Sequence, residues 1–177
     1  MPRATPPITA PKSARHPCPP DDPVIAEPPV TDADRELLRS ALAASGHAYA
    51  PYSRFAVGAA VRTVSGRIHL GANLENASLG LTLCAEAAAL CAANTAGDAD
   101  IREIAVVGRH LDSSDRDTDP VVMPCGRCRQ LIIEAARVSG ATIRVLAGNG
   151  SLAAVRKTDI DHLLPEAFGP RHLHSAD

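Results

Sequence analysis

Cys125 and Cys128 stand three residues apart in Pro124-Cys125-Gly126-Arg127-Cys128, where a helical stretch begins. At a helix start, positions i and i+3 share one face, so both sulfurs can reach one ion. The free N–H groups and dipole of a helix N-terminus also favour thiolate over thiol. Alone, such a pair is compatible with zinc binding, thiol redox chemistry or ordinary burial. Cys84 adds a constraint, because it opens Cys84-Ala85-Glu86 at the start of a second, alanine-rich helix. Two helix N-termini aimed at one point, bearing three thiolates, would make a tight zinc cage. Cys91 follows Cys84 by two helical turns, about 10.5 Å along the axis. Sulfurs on one zinc lie ~2.3 Å from it, so Cys84 and Cys91 cannot both bind. Cys91 therefore reads as a small buried hydrophobe. Three protein ligands leave one position open for water, the catalytic rather than the structural pattern. Glu86 falls about 200° around the helix from Cys84, off the ligand face. A carboxylate there can take a proton from water acidified by zinc and hand it to a substrate.

The elements that must position these residues are legible in outline. Thr31 reads as an N-cap with Asp34 as a partial capping-box partner, and residues 32–45 as an amphipathic helix stopped at Gly46. Residues 56–63 and 67–74 flank Ser65-Gly66 and predict a hairpin. Residues 83–96 predict a helix ended by Gly97, and 103–108 a buried strand. Residues 111–120 read as a polar loop. Residues 126–138 predict a helix closed by Gly140, and 142–147 a strand. A short strand over 152–155 and a short helix over 159–164 follow. A hairpin followed by alternating helices and strands predicts an α/β fold, a three-layer α/β/α sandwich around a mixed five-stranded sheet.

Composition narrows the partners. Residues 1–29 hold ten of the 15 prolines, and segment 1–30 reads as a disordered extension with Cys18 as a bystander. Residues 31–173 read as the catalytic domain that would hold the cysteine and glutamate site, and 174–177 as a tail. Net charge is -2 with no basic stripe, which argues against a nucleic-acid or anionic-membrane surface. No apolar run is long enough to span a bilayer, and the N-terminus has no apolar signal region, so a cytoplasmic location is expected. An odd count of five cysteines fits a disulfide framework poorly.

The pieces AYAPYSRFAVGAA (48–60), GANLENAS (71–78), LCAE (83–86), MPCGRCRQ (123–130) and LLPEAFGP (163–170) together resemble the small homotetrameric zinc-dependent cytidine deaminases, across most of residues 47–173. The resemblance implies hydrolysis of cytidine and 2′-deoxycytidine to uridine and 2′-deoxyuridine plus ammonia by a zinc-activated water, in pyrimidine salvage. It implies one zinc per subunit on Cys84, Cys125 and Cys128, with Glu86 as general acid/base. It implies that Asn73 and Glu75 hydrogen-bond the ribose and that Phe55 packs against the base. Backbone groups at Ala85 and Met123 would read the pyrimidine edge. Phe168 would complete a neighbouring subunit's pocket, hence a homotetramer.

Two positions depart from the family's pattern. Ala87 stands where an Arg often follows the catalytic Glu, and Arg127 is the candidate to offset the three thiolates instead. Leu79 stands where a sugar-contacting Tyr is common. A deaminase of a cytosine-containing antibiotic would share C-A-E and P-C-G-R-C, but Asn73-Leu74-Glu75-Asn76 favours a nucleoside. A polynucleotide deaminase would need a basic channel and more than the four aromatic residues present. A structural zinc or redox module would leave Asn73, Glu75 and Glu86 without a task.

Overall fold

A computed structural model describes residues 29–173. The expected proline-rich extension, except residues 29 and 30, lies outside the described residues, as do Cys18 and the tail 174–177.

Helix α1 (Asp32–Ala44) opens on a complete capping box: the Asp34 N–H donates to Thr31 Oγ1 at 3.1 Å, and the Thr31 N–H donates to Asp34 Oδ2 at 2.9 Å. Aspartate thus does what the longer glutamate usually does. The helix ends at Ser45 and tightens into a 3₁₀ turn, Ser45–His47, so Gly46 is not the stop. Strands β1 (Phe55–Thr63) and β2 (Ile68–Ala72) form the hairpin, with Gly66 at φ 86° in its turn. Helix α2 (Ala85–Thr95) is followed by β3 (Ile101–His110), which is longer than the expected 103–108. Then come α3 (Gly126–Ser139), closed by Gly140 at φ 69°, and β4 (Arg144–Gly148). Strand β5 is Val155–Asp159, not 152–155. Leu152 sits in a turn at φ 63°, and the Asn149 side chain accepts from the Ala154 N–H, which delays the strand. Helix α4 (Ile160–Leu163) is a single turn.

The sheet order is β2-β1-β3-β4-β5, antiparallel throughout except for the parallel β3–β4 pair. Side chains alternate across it with a period of two. Ala59, Val61, Ile104 and Val145 pack into one core with α2 and α3; Ala60, Ala105 and Leu146 pack into the other with Leu37, Leu38 and Ala41 of α1. The expected three-layer α/β/α sandwich is therefore present.

The helices ride unusually close to the sheet. A Cβ on Gly58 would collide with the backbone of Ala41 and Ser45, and one on Gly71 with the backbone of Ala85 and Ala89. Gly71 thus sets how near the first turn of α2 comes to β2.

Ion pairs tie α1 to the far side of the sheet. Asp34 is fully buried and receives Lys157 Nζ at 2.7 Å and Arg144 Nη2 at 3.0 Å. Arg144 also reaches the buried Glu103 at 2.8 Å. Burial opposes ionisation of Asp34, but hydrogen bonds from Lys157 and Thr31 outweigh it and hold the carboxyl at about 2, against an ordinary 3.8. A lowered value means that these contacts contribute stability in full above about pH 4 and lose it as pH falls toward 2. Asp34→Asn is expected to lower the melting temperature at pH 6–7, with the gap to wild type closing as the scan moves below about pH 4. A gap independent of pH would show that the carboxylate charge is not what stabilises the fold.

Candidate active site

Strand directions place the chemistry at one sheet edge. Because β1 is antiparallel to β2 and β3, and β3 is parallel to β4, the C-terminal ends of β2, β3 and β4 lie together. The chain leaves β2 to reach Cys84 and leaves β3 to reach Cys125. Each of these cysteines is the residue preceding its helix, in extended conformation: Cys84 at φ -74°, ψ 152° and Cys125 at φ -67°, ψ 166°.

The three sulfurs of Cys84, Cys125 and Cys128 lie within 4.8 Å of one another, and Cys84 Sγ and Cys125 Sγ are 3.8 Å apart. Tetrahedral thiolates ~2.3 Å from a zinc ion are about 3.8 Å apart, so the donor set fits this metal. Cys128 is buried, Cys84 half-buried and Cys125 exposed, so the cluster is open on one side. Burial acts against ionisation of all three. Cys125 is nevertheless held below the ordinary thiol range by hydrogen bonds, above all the Cys128 backbone N–H. Burial, then the Glu86 charge, pushes Cys128 far up; burial pushes Cys84 up as well. A cation is what this set needs to carry three thiolates together.

Glu86 is buried on the first turn of α2, 4% exposed, and its burial pushes the carboxyl above its ordinary range. It forms part of the wall of a cavity of about 180 Å³ that also includes Cys84, Cys125, Asn73, Ala85 and Met123. The structure thus brings six of the expected residues to one space. Val57, Thr82, Leu83 and Val122 complete the wall. Sequence reasoning missed these four; their only signal was adjacency to Asn73, Cys84 and Met123 along the chain or across the hairpin.

Phe55, Glu75, Phe168 and Cys128 do not line that cavity within one chain. Phe55 packs edge-on against His110, ring centroids 4.7 Å apart, and lies over Gly108, where a Cβ would strike its ring. Glu75 Oε2 accepts from the Tyr52 N–H at 2.8 Å and the Ser53 N–H at 3.2 Å. Asn73 braces β1, accepting from the Val57 N–H at 2.9 Å and donating to the Phe55 carbonyl at 3.1 Å. One amide hydrogen and one lone pair of Asn73 remain for a ligand. Phe168 is 57% exposed and Leu79 75% exposed. Arg127 donates to the Thr82 carbonyl at 3.3 Å, so it links the two ligand-bearing segments.

Cys91 corrects the sequence reading. It is exposed, on a groove of about 390 Å³ between α2 and α3 shared with Ala87, Leu90 and Leu131. A seven-residue spacing ruled out metal binding, but could not say whether the far end of α2 is covered. The 111–120 loop, which had no assigned role, is stitched over the ends of β3 and β4. Asp119 Oδ1 accepts from the His110 N–H at 3.0 Å, and Asn149 Nδ2 donates to the carbonyls of Arg116 and Asp117 at 3.4 and 3.3 Å. It thereby anchors the irregular segment that leads to Met123 and Cys125.

Cys125→Ala is expected to lose the metal and to lower the melting temperature, because the free energy of binding a structural ligand set is also folding free energy. Metal analysis of the purified variant checks this; full zinc content would remove Cys125 from the set.

Comparison with known proteins places the chain in a family. The model of the cytidine and deoxycytidylate deaminase zinc-binding region matches residues 31–142. Cytidine deaminase of Mycobacterium tuberculosis is 42% identical over 142 residues, covering 78% of this chain and 92% of that protein. Cytidine deaminase of Halalkalibacterium halodurans is 43% identical over 136 residues, covering 76% and 94%. The crystal structure of cytidine deaminase from Burkholderia pseudomallei superposes with a TM-score of 0.65 at 42% identity, covering 76% of this chain and 98% of that one. With its ligand trio at two converging helix starts and its matched span of more than half the sequence, this chain belongs to the zinc-dependent cytidine and deoxycytidylate deaminases.

Proposed function

We propose that this protein hydrolyses cytidine and 2′-deoxycytidine to uridine and 2′-deoxyuridine plus ammonia, as a step of pyrimidine salvage in the cytoplasm. The observation that carries this reading is a buried carboxylate, Glu86, on one cavity wall with Cys84 and Cys125, two members of a three-cysteine cluster of zinc dimensions.

Cys84, Cys125 and Cys128 would hold the zinc ion. When bound, zinc supplies Lewis acidity that makes water nucleophilic near neutral pH. The protein's own residues do the rest. The Glu86 carboxylate accepts a proton from the attacking water and delivers it to the ring nitrogen beside the amino-bearing carbon; it then takes the proton of the newly added hydroxyl and delivers it to the amino group, which leaves as ammonia as the carbonyl forms. One water is consumed and one ammonia released. Ala85 and Met123 offer backbone groups at the cavity wall for the pyrimidine edge. Val57 gives the flat ring an apolar neighbour, and Asn73 keeps a free donor and acceptor toward the sugar. Phe55 and Glu75 shape the rim beyond it, Glu75 by holding the Tyr52–Ser53 backbone.

Self-association belongs to the same proposal. Leu131, Val138, Leu79, Leu81 and Phe168 are exposed apolar side chains, and an apolar groove runs between α2 and α3. Exposed apolar surface of this kind favours an interface. A homotetramer would cover it and bring Phe168 to a neighbouring pocket. Mass measurement in solution tests this, with a monomer at assay concentration as the overturning result.

The decisive assay is ammonia release from cytidine and 2′-deoxycytidine, with a cytosine-containing antibiotic as competitor substrate. Glu86→Gln is expected to retain zinc while kcat falls by about 10²–10⁴-fold, the usual weight of a positioned proton carrier. Turnover within a few-fold of wild type would remove Glu86 from the proton path. Release from the antibiotic alone would overturn the nucleoside reading.

A further inference from the structure

Phe168 is an apolar ring left 57% exposed, yet its backbone and ring are both held. Its carbonyl accepts from Gln130 Nε2 at 3.0 Å. Its ring stacks on His172 with centroids 5.3 Å apart and planes 15° from parallel. His172 in turn turns the chain back through the Gly169 N–H, which donates to His172 Nδ1 at 3.0 Å. Just upstream, Leu163, Leu164 and Ala167 pack on the α2–α3 core, and Glu166 sits at φ 55°, a strained conformation for a side-chain-bearing residue. Strain of this sort persists only where the surroundings over-determine the backbone.

The neighbouring residue of α3 holds the other end of the same segment. Arg129 Nε donates to the Pro124 carbonyl at 2.9 Å, and its Nη1 donates to the Leu163 carbonyl at 3.0 Å. One guanidinium therefore bridges the residue before ligand Cys125 and the start of the segment that ends in Phe168. The fixed fork of a guanidinium suits two carbonyls at a set separation. Arg129 and Gln130 follow directly on Cys128, so the helix turn that carries one metal ligand also carries both clasps.

We propose that Gln130 is a positioning residue for Phe168, and that Arg129 and Gln130 together clip the 163–168 segment to the metal-bearing end of α3. Through this clip the place of the aromatic ring is set by the same helix that sets the ligand sulfurs. The inference rests on the reading of Phe168 as part of a neighbouring substrate pocket.

The test uses the full-length, zinc-loaded protein and compares Gln130→Leu, Gln130→Lys, Phe168→Ala and the Gln130→Leu/Phe168→Ala double variant. Gln130→Leu removes the donor and is expected to raise KM for cytidine about three- to ten-fold, the effect of one hydrogen bond, with kcat and zinc content unchanged. Gln130→Lys keeps a donor of similar reach and restores KM. In the Phe168→Ala background the Gln130→Leu change adds nothing further, because its effect acts through the ring. An additive effect there, or a loss of kcat together with zinc, makes Gln130 a general stabiliser and overturns the proposal. Amide hydrogen exchange reads the clip independently of kinetics: residues 166–169 exchange several-fold faster in Gln130→Leu while the rest of α3 is unchanged. Unaltered exchange overturns the clip. Phe168→Ala with wild-type KM instead removes Phe168 from the substrate pocket, a separate failure.

Discussion

Everything at this site depends on bringing two helix N-termini close enough for three cysteine sulfurs to share one ion. The constraint is steric before it is chemical. Sulfurs 3.8 Å apart leave no room for slack in either helix. The starts of α2 and α3 must therefore sit at fixed heights above one sheet edge. Gly71 permits this for α2 by letting its backbone lie against β2 with no side chain between. Ala85, Ala89 and Ala93 extend the close packing along the sheet-facing side of the helix. Large side chains there would hold the helix off the sheet and carry Cys84 away with it.

Electrostatics makes the same demand from the other side. Burial raises the cost of charge at Cys84, Cys128 and Glu86, which lie near one another. Helix N-termini offset part of that cost, and a divalent cation offsets most of the remainder. The fold gathers three cysteine sulfurs and a buried carboxylate, and a bound cation would balance their charge. Binding chemistry and structural integrity are therefore coupled here. At the start of α1, by contrast, the buried carboxylates Asp34 and Glu103 meet Lys157 and Arg144 directly.

The loops divide the remaining work. The 111–120 segment is pinned by Asp119 and Asn149, and so delivers Met123 and Cys125 to the cavity in a set direction. The 73–84 segment leaves the sheet through backbone bridges of Leu74 to Tyr49 and Leu83, and so delivers Cys84. Asn73 sits at the root of the second path and spends half of its hydrogen-bonding capacity bracing β1. A residue expected to touch the sugar is thus also part of the frame that holds Phe55 and Val57.

What the amino-acid sequence determined alone was everything governed by local spacing. The i, i+3 cysteines, the Cys84-Ala85-Glu86 offset, the capping residues Thr31 and Asp34, and the turn glycines Gly66 and Gly140 all act within one element, so their meaning survives without knowledge of the rest. The three-layer order was legible from the order of elements, because a hairpin followed by alternating helices and strands implies a mixed sheet covered by helices. Tertiary structure alone decided what depends on approach between distant segments. It left Cys91 exposed, within one chain, at the α2–α3 groove, moved β5 beyond the Asn149 turn, and gave Glu75 a backbone to hold. It also joined Gln130 to Phe168, 38 residues apart. Pairings of this length are set by how the sheet stacks its helices, a property of the whole chain that no local pattern of residues encodes.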